Sequence, residues 1–296
     1  MNGNLRKNEE RSGLLFVLPQ IIGLILFILL PLIIAIYLCF CEWDFISAPE
    51  WVGLANFKAV FGFDGDIFAK TLENTGVFLL GVIPLTMFLA LGLALLANQH
   101  LPFLEFYKSA LFMPMVTSSV AIAMVWYWLF APDIGLINFM IEQFQVEGPG
   151  WLSDPKWARV AIIIMTAWLK TGYYFIVFLA GLKGISRTYY EAAELDGASA
   201  FQRFIHITMP QLSPVTFFVF VMLVIDVFNM FSEAYVLTRG GPMYSTYTLI
   251  MYIYTEAMHF FNLGKASVAS IVLVLFAGTV SGLQFYLSKK WVNYDT

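Results

Sequence analysis

The sequence predicts an all-α integral membrane protein, with six transmembrane helices and a cytoplasmic helix–turn–helix between the fourth and the fifth. Three observations lead there. Apolar residues make up 60% of the 296 and charged residues 12%, against roughly 45–50% and about 25% in a soluble globular chain. Only 16 Lys and Arg and 20 Asp and Glu are present, too few to cover the surface of a soluble protein of this length. The apolar residues also gather into charge-free stretches of about 20 residues, the length a helix needs to cross a hydrocarbon core about 30 Å thick. A soluble enzyme is excluded on these grounds. So is a nucleic-acid binder, because the pI is 5.4 and no basic stripe is present.

Four stretches are free of charge: Gly13–Phe40, Asn74–Gln99, Ser109–Pro132 and Ser267–Ser288. Two more are interrupted, Val160–Leu182 by Lys170 and Leu212–Leu237 by Asp226 and Glu233. Backbone polar groups in hydrocarbon must pair within their own segment, so all six read as helices, and alternating strand patterns are absent. The first stretch is too long for the core of a signal peptide, and no small-residue cleavage site follows it, so it is kept as a span. Basic residues set the orientation. Arg6, Lys7, Arg11, Lys108, Lys183, Arg187, Arg203, Lys289 and Lys290 fall on one side. Lys58, Lys70, Lys156, Arg159, Arg239 and Lys265 are spread through three longer loops on the other. Both termini are therefore expected in the cytoplasm. The chain divides into a tail over 1–12, one membrane domain over 13–288 and a second tail over 289–296.

The outward loops, about 41–73, 133–158 and 238–266, carry Trp43, Trp51, Trp151 and Trp157 at their edges, as interfacial anchors would be. Within the third loop, Met243–Phe261 reads as a lid or re-entrant helix, since Glu256 and His259 interrupt it. Cys39 and Cys41 are two apart in an apolar run, a step that points helix side chains away from each other. They read as two small buried hydrophobes, with neither a disulfide nor a metal pair.

Ionised side chains at mid-bilayer cost roughly 2.5–3.5 kcal/mol on insertion scales and normally face a protein interior or a watery cavity. Lys170 falls mid-span in the fourth helix, with Tyr173 one turn away. Asp226, Asn229 and Glu233 share one face of the fifth at i, i+3 and i+7. Two readings stand at this point. The cluster lines a path for a hydroxyl-rich ligand, which needs bidentate hydrogen bonds and a ring to stack on. Alternatively Lys170 and Asp226 form a structural pair, or Lys170 and Glu233 snorkel toward headgroups.

The fourth loop, 186–210, carries the strongest pattern. Thr188 with Glu191, and Ser199 with Gln202, have capping-box spacing. Gly197 falls between them, where a left-handed residue closes a helix, and Pro210 is expected to stop the second helix. Ala192 and Ala193 make the first helix narrow, while Tyr189, Tyr190, Leu195 and Phe201 offer apolar contact. Such a unit is shaped to dock into another protein. An amphipathic helix resting on the inner leaflet would carry more Lys and Arg.

Glu191-Ala192-Ala193, three residues, Gly197, nine residues, Ile207, one residue and Met209-Pro210 resembles the EAA motif of ABC-importer permeases, with Met209 where the family has Leu. Val52-Gly53-Leu54-Ala55-Asn56-Phe57, Pro114, Gly135-Leu136-Ile137-Asn138 and Leu237-Thr238-Arg239-Gly240-Gly241-Pro242 are similar to segments of the carbohydrate permeases of the maltose-transporter type. The resemblance implies a type I ABC importer fold in a bacterial-type cell membrane, as the first-listed member of a permease pair. It implies a second homologous permease subunit, two copies of a cytoplasmic ABC ATPase and an extracytoplasmic solute-binding protein as partners. The substrate would be a carbohydrate, and ATP and Mg would be bound by the ATPase, with no cofactor in this chain. Glu191, Ala192, Ala193, Gly197, Ile207 and Pro210 would couple to the ATPase. Sugar contacts would fall on or beside Leu169, Lys170, Tyr173, Leu223, Asp226 and Met230.

Two alternatives remain. An ion-coupled secondary transporter would use Asp226 as a proton carrier, but leaves the capped loop without a role. A polytopic membrane enzyme would want G-x-S-G with a partnering His, or two membrane aspartates. Neither is present: His100, His206 and His259 lie at loops or edges, and Asp226 stands alone among membrane aspartates. No G-x-x-x-x-G-K-[ST] segment occurs either, so energy must come from a partner.

Overall fold

The computed structural model describes residues 2–63, 65–99 and 102–293, with backbone alone for 2–12 and 63. His100, the last three residues of the C-terminal tail and the side chains of Arg6, Lys7 and Arg11 lie outside the described residues. Among the described residues, five helices are long and apolar enough to cross a membrane: Gly13–Leu38, Gly65–Ala97, Pro155–Gly184, Ala200–Phe228 and Leu263–Ser288. Leu104–Val116 with Ser119–Leu129, a bent pair, passes the same test only together and stands where the third span is expected. The chain forms two compact units. One holds the residues up to Gly65 with Ile253–Val272, the other Asp66–Tyr252 with the residues from Leu273 onward.

In the first unit the opening helix begins at Asn2, so the backbone of the N-terminal tail is helical and continuous with the first span. A π-helical turn at Ile25–Leu29 precedes Pro31, with the Leu30 N–H donating to the Ile25 carbonyl. This wider turn carries the helix past a residue that has no N–H to give. Along this span the side chains from Leu14 to Tyr37 are largely exposed, as an apolar surface meeting lipid would be. The chain then makes a two-residue antiparallel pairing, Cys41–Glu42 with Glu50–Trp51. Cys41 is thus in a strand, and its thiol and that of Cys39 are free and buried. Asn56 fixes this turn, its amide donating to the Cys39 and Cys41 carbonyls at 3.0 and 2.8 Å. Gly264 lies so close that a Cβ would collide with that amide and with the Cys41 carbonyl. Asp44 accepts from Ser47 Oγ and from the Ser47 and Ile46 N–H groups, which together hold its carboxyl down at about 2.

In the second unit the fourth span has the deepest burial of the crossing helices. Asp154 caps it by accepting from the Lys156 and Trp157 N–H groups, and Pro155 occupies its first turn. Gly172 permits its approach to the third span, because a Cβ there would strike the Leu111 carbonyl. Gly181 does the same against Leu212 and Val215 of the fifth.

Several expectations are corrected. The third span is not one helix: its two limbs are bent by 99°. Pro114 removes a backbone donor near the end of the first limb, and Thr117 is extended there (φ −86°, ψ 151°). The fifth helix ends at Phe228, and Ser232–Thr238 is a separate short helix. Asp226, Asn229 and Glu233 therefore do not share one continuous helical face. The second span begins at Gly65, so Lys70 and Glu73 are helical and the first outward loop is shorter than expected. Trp151 is buried, not an interfacial anchor, and its indole N–H donates to Asn138 Oδ1 at 2.7 Å. The third outward loop does contain a short helix, Leu249–Met258.

Candidate functional site

Two clusters sequence reasoning singled out lie at spans four and five. The first is the loop between them. Its leading helix, Arg187–Leu195, is capped by Ser186, which accepts from the Thr188 N–H. The expected Thr188–Glu191 box is not formed, because the helix starts two residues earlier than that spacing required. The Ser199–Gln202 box is complete: the Ser199 N–H donates to Gln202 Oε1 at 2.8 Å and the Gln202 N–H to Ser199 Oγ at 3.3 Å.

Gly197 has φ +76°. The Gly197 N–H donates to the Glu194 carbonyl and the Ala198 N–H to the Ala193 carbonyl. That is the bond pair of a left-handed helix terminator. Pro210 does not stop the second helix. A π-helical turn at Phe204–Thr208 follows Ala200–Arg203, with the Met209 N–H donating to the Phe204 carbonyl, and Pro210 enters the first turn of Met209–Phe228. The second short helix is thereby continuous with the fifth span.

An Arg203–Glu194 ion pair ties the two short helices of this loop together. The Tyr190 and Thr208 hydroxyls share a hydrogen bond of 2.9 Å. Leu195 is 91% exposed and Phe201 70%, with Glu191 and Ala192 also exposed and Ala193 and Ile207 half-buried. Large apolar side chains held outward by a capped, cross-braced scaffold make a rigid contact surface.

The second cluster joins spans four and five. Lys170 Nζ is 3.0 Å from Asp226 Oδ1, with side chains 19% and 29% exposed. The other carboxylate oxygen, Oδ2, accepts from the Tyr174 hydroxyl at 2.7 Å. Glu233 is buried in the short helix Ser232–Thr238 that follows. Tyr173 is half-buried, its ring edge-to-face with Tyr174 at 5.0 Å.

The remaining expected residues are placed differently. Leu169, Leu223 and Met230 are packed inside the chain. Met230 Sδ accepts from the Thr166 hydroxyl and its carbonyl from the Thr248 hydroxyl. Asn229 folds back, its amide donating to the Ile225 carbonyl. Tyr174 was missed in favour of its neighbour, although its spacing of four from Lys170 puts both on one helix face.

A further network went unnoticed because Arg159 and Asn74 look unremarkable in sequence. Arg159 donates from Nε to the Ser245 carbonyl at 2.8 Å, and from Nη2 to Glu73 Oε1 at 2.9 Å and Asn74 Oδ1 at 2.7 Å. The Asn74 amide donates onward to the Tyr244 and Tyr247 carbonyls. The Gly240–Tyr247 loop is thus fixed to spans two and four.

A polytopic helical chain with a braced loop that exposes large apolar side chains is built as a membrane-embedded subunit. Residues 83–293 match the family described as "Binding-protein-dependent transport system inner membrane component", and the chain belongs to that family. It is 33% identical to the lactose transport system permease protein LacF of Rhizobium radiobacter, over 97% of each chain. It is 33% identical to the probable ABC transporter permease protein YesP of Bacillus subtilis, over 98% of this chain and 94% of that one. Against the sn-glycerol-3-phosphate transport system permease protein UgpA of Agrobacterium fabrum the figure is 32%, over 95% of each. Among solved structures, a chain of a bacterial ABC transporter involved in the import of alginate superposes with a TM-score of 0.80. That match is 24% identical and covers 98% of this chain and 100% of that one. The fold is that of a type I ABC importer permease. The chain is a transporter subunit and not itself an enzyme, so the ion-coupled and enzymatic alternatives fall away.

Proposed function

We propose that this chain forms half of the translocation path of an ATP-driven sugar importer, pairing with a second homologous permease subunit. Two copies of a cytoplasmic ATPase bind ATP and Mg, and an extracytoplasmic binding protein delivers the sugar. Both termini are cytoplasmic, on the side of the 186–210 loop. The observation that carries this reading is that loop, where Leu195 and Phe201 are exposed on a scaffold with every helix end satisfied. Glu191, Ala192, Ala193, Gly197, Ile207 and Pro210 then form or shape the seat for the ATPase. Closure of the ATPase pair is transmitted directly, since the second docking helix runs on into span five. Among relatives, LacF is named for lactose transport, in keeping with a path lined by Lys170, Tyr173, Asp226 and Asn229, with Leu169, Leu223, Met230 and Glu233 buried behind them.

The test is Gly197→Asp in the reconstituted complex. At φ +76° a β-carbon is strained, and a side chain there also enlarges the docking surface. The variant should insert and assemble normally and hydrolyse ATP, yet fail to accumulate sugar. Normal accumulation by an assembled variant would overturn the coupling assignment, as would accumulation by this chain in vesicles without any ATPase.

A further inference from the structure

The Lys170 cluster speaks to substrate charge. Taking spans four and five as the path, as proposed above, we infer that this subunit selects an uncharged saccharide and disfavours anionic sugars such as uronates or sugar phosphates. Three geometric facts carry the inference. The lysine is not free: its ammonium is 3.0 Å from Asp226 Oδ1. The Asp226 carboxylate is held in place from its other side by the Tyr174 hydroxyl, so it cannot leave the lysine without breaking two contacts. The next ionisable side chain along this segment is another acid, Glu233, and it is buried, so it brings no cation to the site.

The one cation is thus already paired. An anionic ring entering beside the pair meets no unpaired positive charge and loses its hydration, which is unfavourable in a poorly hydrated path. A neutral ring meets what suits it. The partly exposed edges of Lys170 and Asp226 offer a donor and an acceptor for vicinal hydroxyls, and the half-buried Tyr173 ring offers a face for stacking.

The experiment uses the full complex in nanodiscs or vesicles with its binding protein. Its probes are neutral mono- and disaccharides and the uronic acids of the same ring stereochemistry, each at a concentration that saturates the binding protein. The wild type should transport neutral sugars at least about tenfold faster than the matching uronates. Asp226→Asn keeps the shape and the Tyr174 contact but frees the Lys170 charge, and should shift that ratio toward uronates by about fivefold or more. Tyr174→Phe removes the second hold on the Asp226 carboxylate and should shift it in the same direction by about twofold or more, which provides the test if Asp226→Asn fails to assemble. Uronate transport as fast as neutral transport in the wild type would overturn the inference. So would changed uptake in the variants with an unmoved ratio, an outcome that keeps the path. Uptake of every sugar unmoved in Asp226→Asn and in Tyr173→Ala would remove the path reading and the charge rule together.

Discussion

Replacing Arg159 with Met should release the Gly240–Tyr247 loop while leaving the membrane helices assembled. The side chain is 22% exposed, and its Glu73 partner 59%. The ion pair itself therefore contributes only about 0–1 kcal/mol. The larger contribution is the pair of bonds to the Ser245 carbonyl and to Asn74 Oδ1. Hydrogen bonds to a charged donor are each worth roughly 1.5–3 kcal/mol when well shielded. Water can re-enter a site this open, so about 2–3 kcal/mol is the net expectation for the substitution. Met keeps the apolar stem, so the loss is polar and not a cavity. Hydrogen exchange reads it directly through the Ser245, Thr246 and Tyr247 N–H groups, which close the loop on Pro242, Gly240 and Tyr244. Their exchange should speed up by roughly 30-fold or more if opening of the loop limits it. Glu73→Gln should change it little. Equal effects of the two substitutions, or unchanged loop exchange in Arg159→Met, would refute the assignment of the loop's anchorage to Arg159.

Three further substitutions test other joints. Gly172→Leu should force the third and fourth spans apart, since even a Cβ there strikes the Leu111 carbonyl; a loss of thermal stability in detergent beyond that of Gly76→Leu, a position with open space, is the expected reading. Asn56→Ala leaves the Cys39 and Cys41 carbonyls without their amide partner, at a cost of about 1–3 kcal/mol, and faster labelling of the two buried thiols should report it. Ser199→Ala removes one half of the capping box and should destabilise the second docking helix by about 1 kcal/mol, seen as weaker ATPase retention during purification.

Much of this fold is written as hydropathy, because lipid imposes one requirement on every spanning residue. Stretches of the right length and composition had to be helices, and the docking loop was legible through Gly197, Ser199 and Gln202, whose roles are local. The motif asparagines were legible as pattern but not as purpose. Asn56 and Asn138 are hydrogen-bond hubs: Asn138 donates to the Pro132 and Pro149 carbonyls and accepts from Trp151. Each joins segments that only the folded chain brings together. Long-range pairs such as Arg159 with Ser245 leave no periodic trace at all.

The breaks in spans three and five escaped for a different reason, and they bear on function. Hydropathy averages over the chain and cannot register a lost backbone bond, so Pro114 and the Asn229–Phe231 interruption disappear inside apolar windows. Irregular backbone at membrane depth is tolerated only where protein buries it or water reaches it. At the fifth-span break the first condition holds: Met230 is buried, and its carbonyl is satisfied by the Thr248 hydroxyl. That bond ties the break to the base of the Gly240–Tyr247 loop, which Arg159 and Asn74 anchor in turn. Asp226 lies just before the same break, paired to Lys170 across from it. A shift of span five driven from the end at which it is continuous with Ala200–Arg203 must therefore either carry the Lys170 pair and the Gly240–Tyr247 loop with it or part them. A disulfide-free double substitution, Lys170→Gln with Asp226→Asn, removes the charges while keeping the shape. If the pair is one of the contacts remade in each cycle, uptake should change while ATP hydrolysis by the assembled complex does not, and equal changes in both would place the pair outside the moving joint.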